Sequence, residues 1–255
     1  GGVLAEGSVL VLVEPGMYEE ESVTVDGGQR VSIWRCDHES ESNKEEMAKV
    51  DWRSRDEEVL SIIGGSSVSV NGMHMSATKS EGYDGDGLFN CVNAFDGATL
   101  SLELCDLTCE GNASYGVAVV RIYGTGTTGT ISDCCIHDGK AGGVLIIAGA
   151  SATLENNNIH SNTLCGVEVN GEGSEAVLRG NRIYEGKECG VLIYGGASAT
   201  LDNNNIRSNI NVGVQVQGEG SKAELRGNRI HDGKQCGVFI CERASATLDN
   251  NNIHS

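Results

Sequence analysis

The sequence predicts an all-β chain wound as a single-stranded right-handed parallel β-helix, a solenoid with about 23–24 residues per turn in its C-terminal half. Three observations predict it. The first is an internal repeat. Ala150-Ser-Ala-Thr-Leu154 returns as Ala197-Ser-Ala-Thr-Leu201 and as Ala244-Ser-Ala-Thr-Leu248, a period of 47 residues. The second is that each 47-residue unit splits into two related halves of the form Leu-x-(Asn/Gly)-Asn-x-Ile followed by Gly-Val-x-(Val/Ile). The Asn falls at Asn157, Asn181, Asn204, Asn228 and Asn251, and the Gly at 166, 190, 213 and 237, in steps of 23 or 24. The third is composition. With 36 Gly, one Pro and 4% aromatic residues, the chain suits a narrow, repetitive core of small and β-branched side chains.

Each element follows from these spacings. In Ala152-Thr-Leu154 and Val167-Glu-Val169 apolar and polar residues alternate, the period of a half-buried strand. The site before the repeated Asn reads Asn156, Gly180, Asn203, Gly227 and Asn250. A position restricted to Gly and Asn predicts a left-handed backbone bend. The Asn after it, stacked at about 4.8 Å per turn, is expected to form a structural ladder bonded to backbone and to its copies above and below. Parallel crossovers are overwhelmingly right-handed, which sets the hand of the coil. Towards the N-terminus Cys134, Cys105 and Asn71 are expected to take the ladder position, with steps of 23, 29 and 34. The whole of 1–255 is read as one domain. Residues 1–96 form irregular turns with an acidic insertion at about 35–60, and 97–255 form regular turns. The chain opens Gly1-Gly2-Val3 and closes on Asn252-Ile253-His254-Ser255, partway through a turn, and is expected to be a fragment of a longer β-helix. The C-terminal end of its stack would then be covered by further sequence or another chain.

The formal net charge is −18. That excludes nucleic acid, whose binding needs clustered Lys and Arg, and disfavours acidic polysaccharide unless a metal ion or a local basic strip intervenes. The acidity gathers early, in Glu19-Glu20-Glu21 and between Asp37 and Glu58, and is read as a solvated loop. No apolar run approaches the ~18 residues of a membrane span, so no membrane insertion is expected. Ten cysteines occur without a CxxC pair or a His at ligand spacing beside them. They are read as buried free thiols, which points to an intracellular setting; no metal and no cofactor are expected.

Val11, Glu14-Pro15-Gly16 and Tyr18 resemble the opening of many pectate-lyase-like β-helices. The run from His137 to Ile146, then Ala152 to Asn162, then Leu178 to Ile183, is similar to the repeats of F-box-only β-helix proteins and to the wider group found in carbohydrate-binding proteins and sugar hydrolases. The similarity covers roughly 128 to 255. It implies the β-helix and, through the F-box proteins, a substrate-receptor role.

Three surface columns carry the candidate sites. Glu155, Arg179, Asp202, Arg226 and Asp249 alternate in charge and are read as a self-compensating ladder rather than a carboxylate cluster. His137, His160, Tyr184, Arg207, His231 and His254 follow the inward Ile and form a weaker candidate strip for a sugar or phosphate. Leu145, Ile147, Leu192, Tyr194 and Phe239 are expected to face outward on the Gly-Val-x-(Val/Ile) strands and offer a binding face. The expected function is therefore non-catalytic recognition of a partner protein on that face. The alternative is an extended carbohydrate ligand, bound or processed by a lyase or hydrolase; no catalytic residues stand out.

Overall fold

The computed structural model describes residues 8–19, 22–35, 50–55, 57–79, 89–110 and 116–254. They form a right-handed parallel β-solenoid of about nine turns, without helices. Each coil lends one strand to each of three parallel sheets. The first sheet has ten strands, from Ser8–Val13 to Ser245–Asp249. The second also has ten, from Gly16–Glu19 to Asn252–Ile253, and the third has nine, from Val23–Val25 to Val238–Cys241.

One inward column per sheet builds the core. Leu102, Ile131, Leu154, Leu178 and Leu201 stack in the first sheet and Leu107, Ile136, Ile159, Ile183 and Ile206 in the second, all fully buried. Ile122, Ile146, Val169, Ile193 and Val216 complete the third side. Each such side chain withdrawn from water is worth about 1.5–3 kcal/mol. Every wall is built of branched aliphatic residues in register, and a slip by one residue would turn each of them to the outside.

The corner between the first and second sheets is a single left-handed residue. Asn156, Gly180, Asn203, Gly227 and Asn250 all have φ between 52° and 64°. Next to it stands the ladder. Asn181 Oδ1 accepts from both the N–H and the Nδ2 of Asn157, at 2.9 and 3.0 Å, while Asn181 Nδ2 donates to the Leu154 carbonyl at 2.8 Å. Asn204, Asn228 and Asn251 repeat the pattern. Every polar group of a buried amide is thus used, as burial demands. Cys134 and Cys105 continue the column: Cys134 Sγ accepts from the Cys105 N–H at 3.4 Å and donates to the Ser132 carbonyl at 3.1 Å.

Asn71 does not continue it. Asn71 pairs with Glu103, whose column runs through Ser132 to Glu155, so the residue in the ladder position is Met73. The shift arises because strand spacing is uneven here. Ser67 pairs with Thr99, 32 residues on, and Thr99 with Thr128, 29 on, before Thr128 and Ser151 settle to 23. The acidic insertion is also shorter than expected. Val50–Arg55 lies in the second sheet between Gly16–Glu19 and Met73–Thr78, and Leu60–Ile62 in the third. Asp37, His38, Glu39, Glu41, Glu45, Glu46 and Asp56 lie outside the described residues.

The other corners carry ladders of their own. Between the second and third sheets, Gly139, Asn162, Gly186, Asn209 and Gly233 alternate at equivalent positions. Asn162 Oδ1 accepts from the Gly139 N–H and Asn209 Oδ1 from the Gly186 N–H, both at 3.0 Å. A Cβ on Gly139 would meet Asn162 Oδ1 at 2.8 Å, so the glycine leaves the room that the amide fills. Between the third and first sheets, Thr127, Ala150, Ser174, Ala197 and Ser221 alternate, all buried. Ser174 Oγ accepts from the Gly149 N–H and Ser221 Oγ from the Gly196 N–H, at 3.0 Å.

Candidate functional site

The third sheet presents two outward columns. One runs Asn93, Arg121, Leu145, Glu168, Leu192, Gln215, Phe239 and the other Phe95, Tyr123, Ile147, Asn170, Tyr194, Gln217, Cys241. The register is as the repeat predicts, but the expected apolar exposure is not. Leu145 is buried, and Leu192 is half-buried against Cys165, Cys189 and Val212. Those three belong to the turns linking the second sheet to the third, which fold back over one edge of the face. Ile147 and Tyr194 are half-buried; Phe239 is 44% exposed.

What this face offers instead is polar and aromatic. The Arg121 guanidinium lies 4.6 Å from the centre of the Tyr123 ring, a cation–π contact, and Arg121 Nη1 donates to Asn93 Oδ1 at 3.4 Å. Burial lowers the pKa of Arg121, and its buried Nε has no hydrogen-bond partner among the described residues. Two coils further on, Glu168 is 9% exposed and accepts the Tyr194 hydroxyl at 2.6 Å. Burial raises its pKa, opposed by that hydrogen bond. Gln215 Nε2 donates to Gln217 Oε1 at 2.7 Å, and Cys189 Sγ to Gln215 Oε1 at 3.3 Å. Glu168 is the only carboxylate in these two columns.

On the second sheet the weaker strip becomes a stack of rings. His137, His160, Tyr184, Arg207 and His231 are in register, with His254 stacked on His231 at 5.2 Å. His137 and His160 stand 5.1 Å apart, His160 and Tyr184 4.9 Å, and the Arg207 guanidinium covers Tyr184 at 4.3 Å. His231 is buried and bonded to Asp232 and Asn205, so its ring serves the stack. At the upper end of the strip His137 meets residues that spacing did not reveal as neighbours. Asp106 Oδ1 lies 2.8 Å from His137 Nε2, and Asp138 Oδ2 2.7 Å from His137 Nδ1. The two carboxylates raise the pKa of His137 to about 9, the Asp106 hydrogen bond being the largest cause.

The charge column behaves as its alternation predicts. Arg179 reaches Glu155 at 3.0 Å and Asp202 at 4.0 Å, and Arg226 pairs with Asp202 at 4.0 Å and with Glu224. The described cysteines carry no disulfide. Six of them are buried, Cys135 and Cys241 are half-buried, and Cys236 is exposed. Among the described residues no helix is long and apolar enough to cross a membrane.

Residues 118–255 match the profile described as the right handed beta helix region, more than half of the chain. The chain belongs to the right-handed β-helix family. No curated protein matches it in sequence. Among solved structures, this β-helix is similar to the A-module of the mannuronan C-5 epimerase AlgE6 of Azotobacter vinelandii. That likeness has 15% identity and a TM-score of 0.54, over 95% of this chain and 66% of that one. It is also similar to the periplasmic alginate epimerase AlgG, with 13% identity and a TM-score of 0.46 over 99% and 80% of the two chains. A third likeness is to the catalytic domain of a GH87 α-1,3-glucanase, with 11% identity and a TM-score of 0.39 over 94% and 64%. At these identities the likeness concerns the fold. The chain spans just under two thirds of the AlgE6 module.

Proposed function

We propose that this β-helix binds an extended carbohydrate along the outer face of its third sheet. The observation that carries the reading is the make-up of that face from Asn93 to Gln217. An arginine over the Tyr123 ring, a buried carboxyl two coils further on bonded to Tyr194, and the amides of Gln215 and Gln217 stand along one sheet. Coils repeat at about 4.8 Å, comparable to the length of one pyranose. A sugar chain along the sheet therefore meets polar groups on the Arg121, Glu168, Tyr194 and Gln215 coils, with the apolar Leu145 and Ile147 between the first two. Aromatic rings with a few placed polar groups are the usual lining of ligand sites. Arg121 supplies the local cation that an acidic sugar needs on a chain of net charge −18. Among the described residues of the two columns Glu168 is the one carboxylate and does not make the facing pair of most glycosidases, so the reading is binding rather than hydrolysis. The coil shared with the A-module of the mannuronan C-5 epimerase adds support for a polysaccharide. A partner-protein face loses ground, because Leu145 is buried and Leu192 packs against the chain's own turns.

The test is a binding panel of polyuronates and neutral glycans, with and without calcium, followed by analysis for cleaved products. Arg121→Ala and Tyr194→Ala are each expected to weaken binding about tenfold or more, while Tyr184→Ala on the second sheet leaves it unchanged. A panel without any binder, or affinity insensitive to both third-sheet changes, overturns the proposal.

A further inference from the structure

The geometry points to a binding site for one borderline divalent cation of the zinc type on the outer face of the second sheet, formed by Asp106, Cys135 and His137. One atom from each, a carboxylate oxygen, Sγ and a ring nitrogen, lie within 4.8 Å of one another. The fold brings them there by two simple relations. Cys135 and His137 are two apart on the strand Cys135–His137, so both point outward. Asp106, from the previous coil, pairs directly with Cys135.

The donor set decides the class of metal. A thiolate, an imidazole and a carboxylate suit zinc and its neighbours, whereas calcium and magnesium take oxygen ligands. Zinc holds sulfur at about 2.3 Å and nitrogen or oxygen at about 2.0–2.2 Å, so its donors sit ~3–4 Å apart. His137 and Asp106 are already closer than that, at 2.8 Å, and the Cys135 sulfur lies within 4.8 Å of both. Cys135 then binds as thiolate, its proton passing to solvent. His137 would ligate through Nε2, the nitrogen facing Asp106. Its other nitrogen is bonded to Asp138 at 2.7 Å, the carboxylate support that orients metal-binding histidines.

Two further histidines flank the group on the neighbouring coils. His160 Nε2 is 3.5 Å from Cys135 Sγ, and His74 Nε2 is 4.0 Å from Asp106 Oδ2. Either completes a fourth position, and with it the ion clamps three successive coils. The site lies on a different sheet from the proposed carbohydrate face and stands independently of it.

Chelator-treated protein titrated with Co²⁺ should take up one equivalent and develop the sulfur-to-cobalt charge-transfer band, and Zn²⁺ should displace it. Cys135→Ser should abolish the band, and His137→Gln should weaken Zn²⁺ binding at least tenfold. Asp138→Asn should weaken it about tenfold without removing a ligand. Cys241→Ser, on the third sheet, should change nothing. Zn²⁺ should also raise the Tm of the unmodified chain and not that of Cys135→Ser. Absence of the band in the unmodified protein overturns the inference whatever the variants do. So does a band that survives Cys135→Ser, or that is lost in Cys241→Ser.

Discussion

Two sets of buried polar groups stand in this molecule, and they are treated in opposite ways. At the corner between the first and second sheets, each interior amide of the Asn157-to-Asn228 run meets neighbours that use its oxygen and its nitrogen. On the third sheet, among the described residues, Arg121 keeps a buried Nε without a hydrogen-bond partner, and Glu168 bonds its buried carboxyl to the Tyr194 hydroxyl. The first arrangement stabilises; the second carries a cost. The contrast separates the residues that hold the coil from those that are free to recognise something.

The sharpest way to break the comparison is at the corner. Asn181→Ala strips partners from the Leu154 carbonyl and from the N–H and Nδ2 of Asn157, all buried. A loss of about 4 kcal/mol in denaturant unfolding is expected. Cys134→Asn tests the same rule in the other direction. An amide there accepts the Cys105 N–H better than sulfur does and reaches a carbonyl of the preceding coil, so a gain of about 1 kcal/mol is expected.

Glu168→Gln sharpens the other side. Burial raises the Glu168 pKa in the folded chain, so the folded state holds that proton more firmly than the unfolded one. Its stabilising contribution is present below the ordinary carboxylate range near ~4.3 and is lost as pH rises through the raised value. The variant should flatten that fall in a series of melting curves across mildly acidic pH. The smallest effect belongs to Arg179→Ala, whose pairs with Glu155 and Asp202 are half exposed and worth less than about 0.5 kcal/mol by the same unfolding assay.

The fold was largely legible in the sequence because a coil punishes deviation at fixed positions. Asn156 and Gly180 announce a left-handed bend, and Leu154 and Ile159 announce two inward walls, each by recurring in step. The candidate sites were less legible, since they depend on what lies between the repeated positions. Leu192 reads as outward from its strand and is outward, but no spacing shows that the turns of Cys165, Cys189 and Val212 pack against it. Asn71 falls one column away from the ladder position that its spacing suggests, because the steps of 32 and 29 residues conceal which residues pair. That uneven step also separates Asp106 from Cys135, adjacent in space and invisible as a pair in the chain. The signal that was available and missed is Cys135 and His137, two residues apart on one strand.

The alternation at the corners sets the size of the piece by which this protein can grow or shrink. Gly139 fits over Asn162 and Gly186 over Asn209. Ala150 precedes Ser174 as Ala197 precedes Ser221, and Arg179 separates Glu155 from Asp202. Excising one coil would set amide on amide, hydroxyl on hydroxyl and acid on acid at once, and like charges facing each other across strands repel. Excising two restores every pairing. The heritable quantum of this solenoid is therefore the pair of coils, and the 47-residue period in the sequence is its imprint.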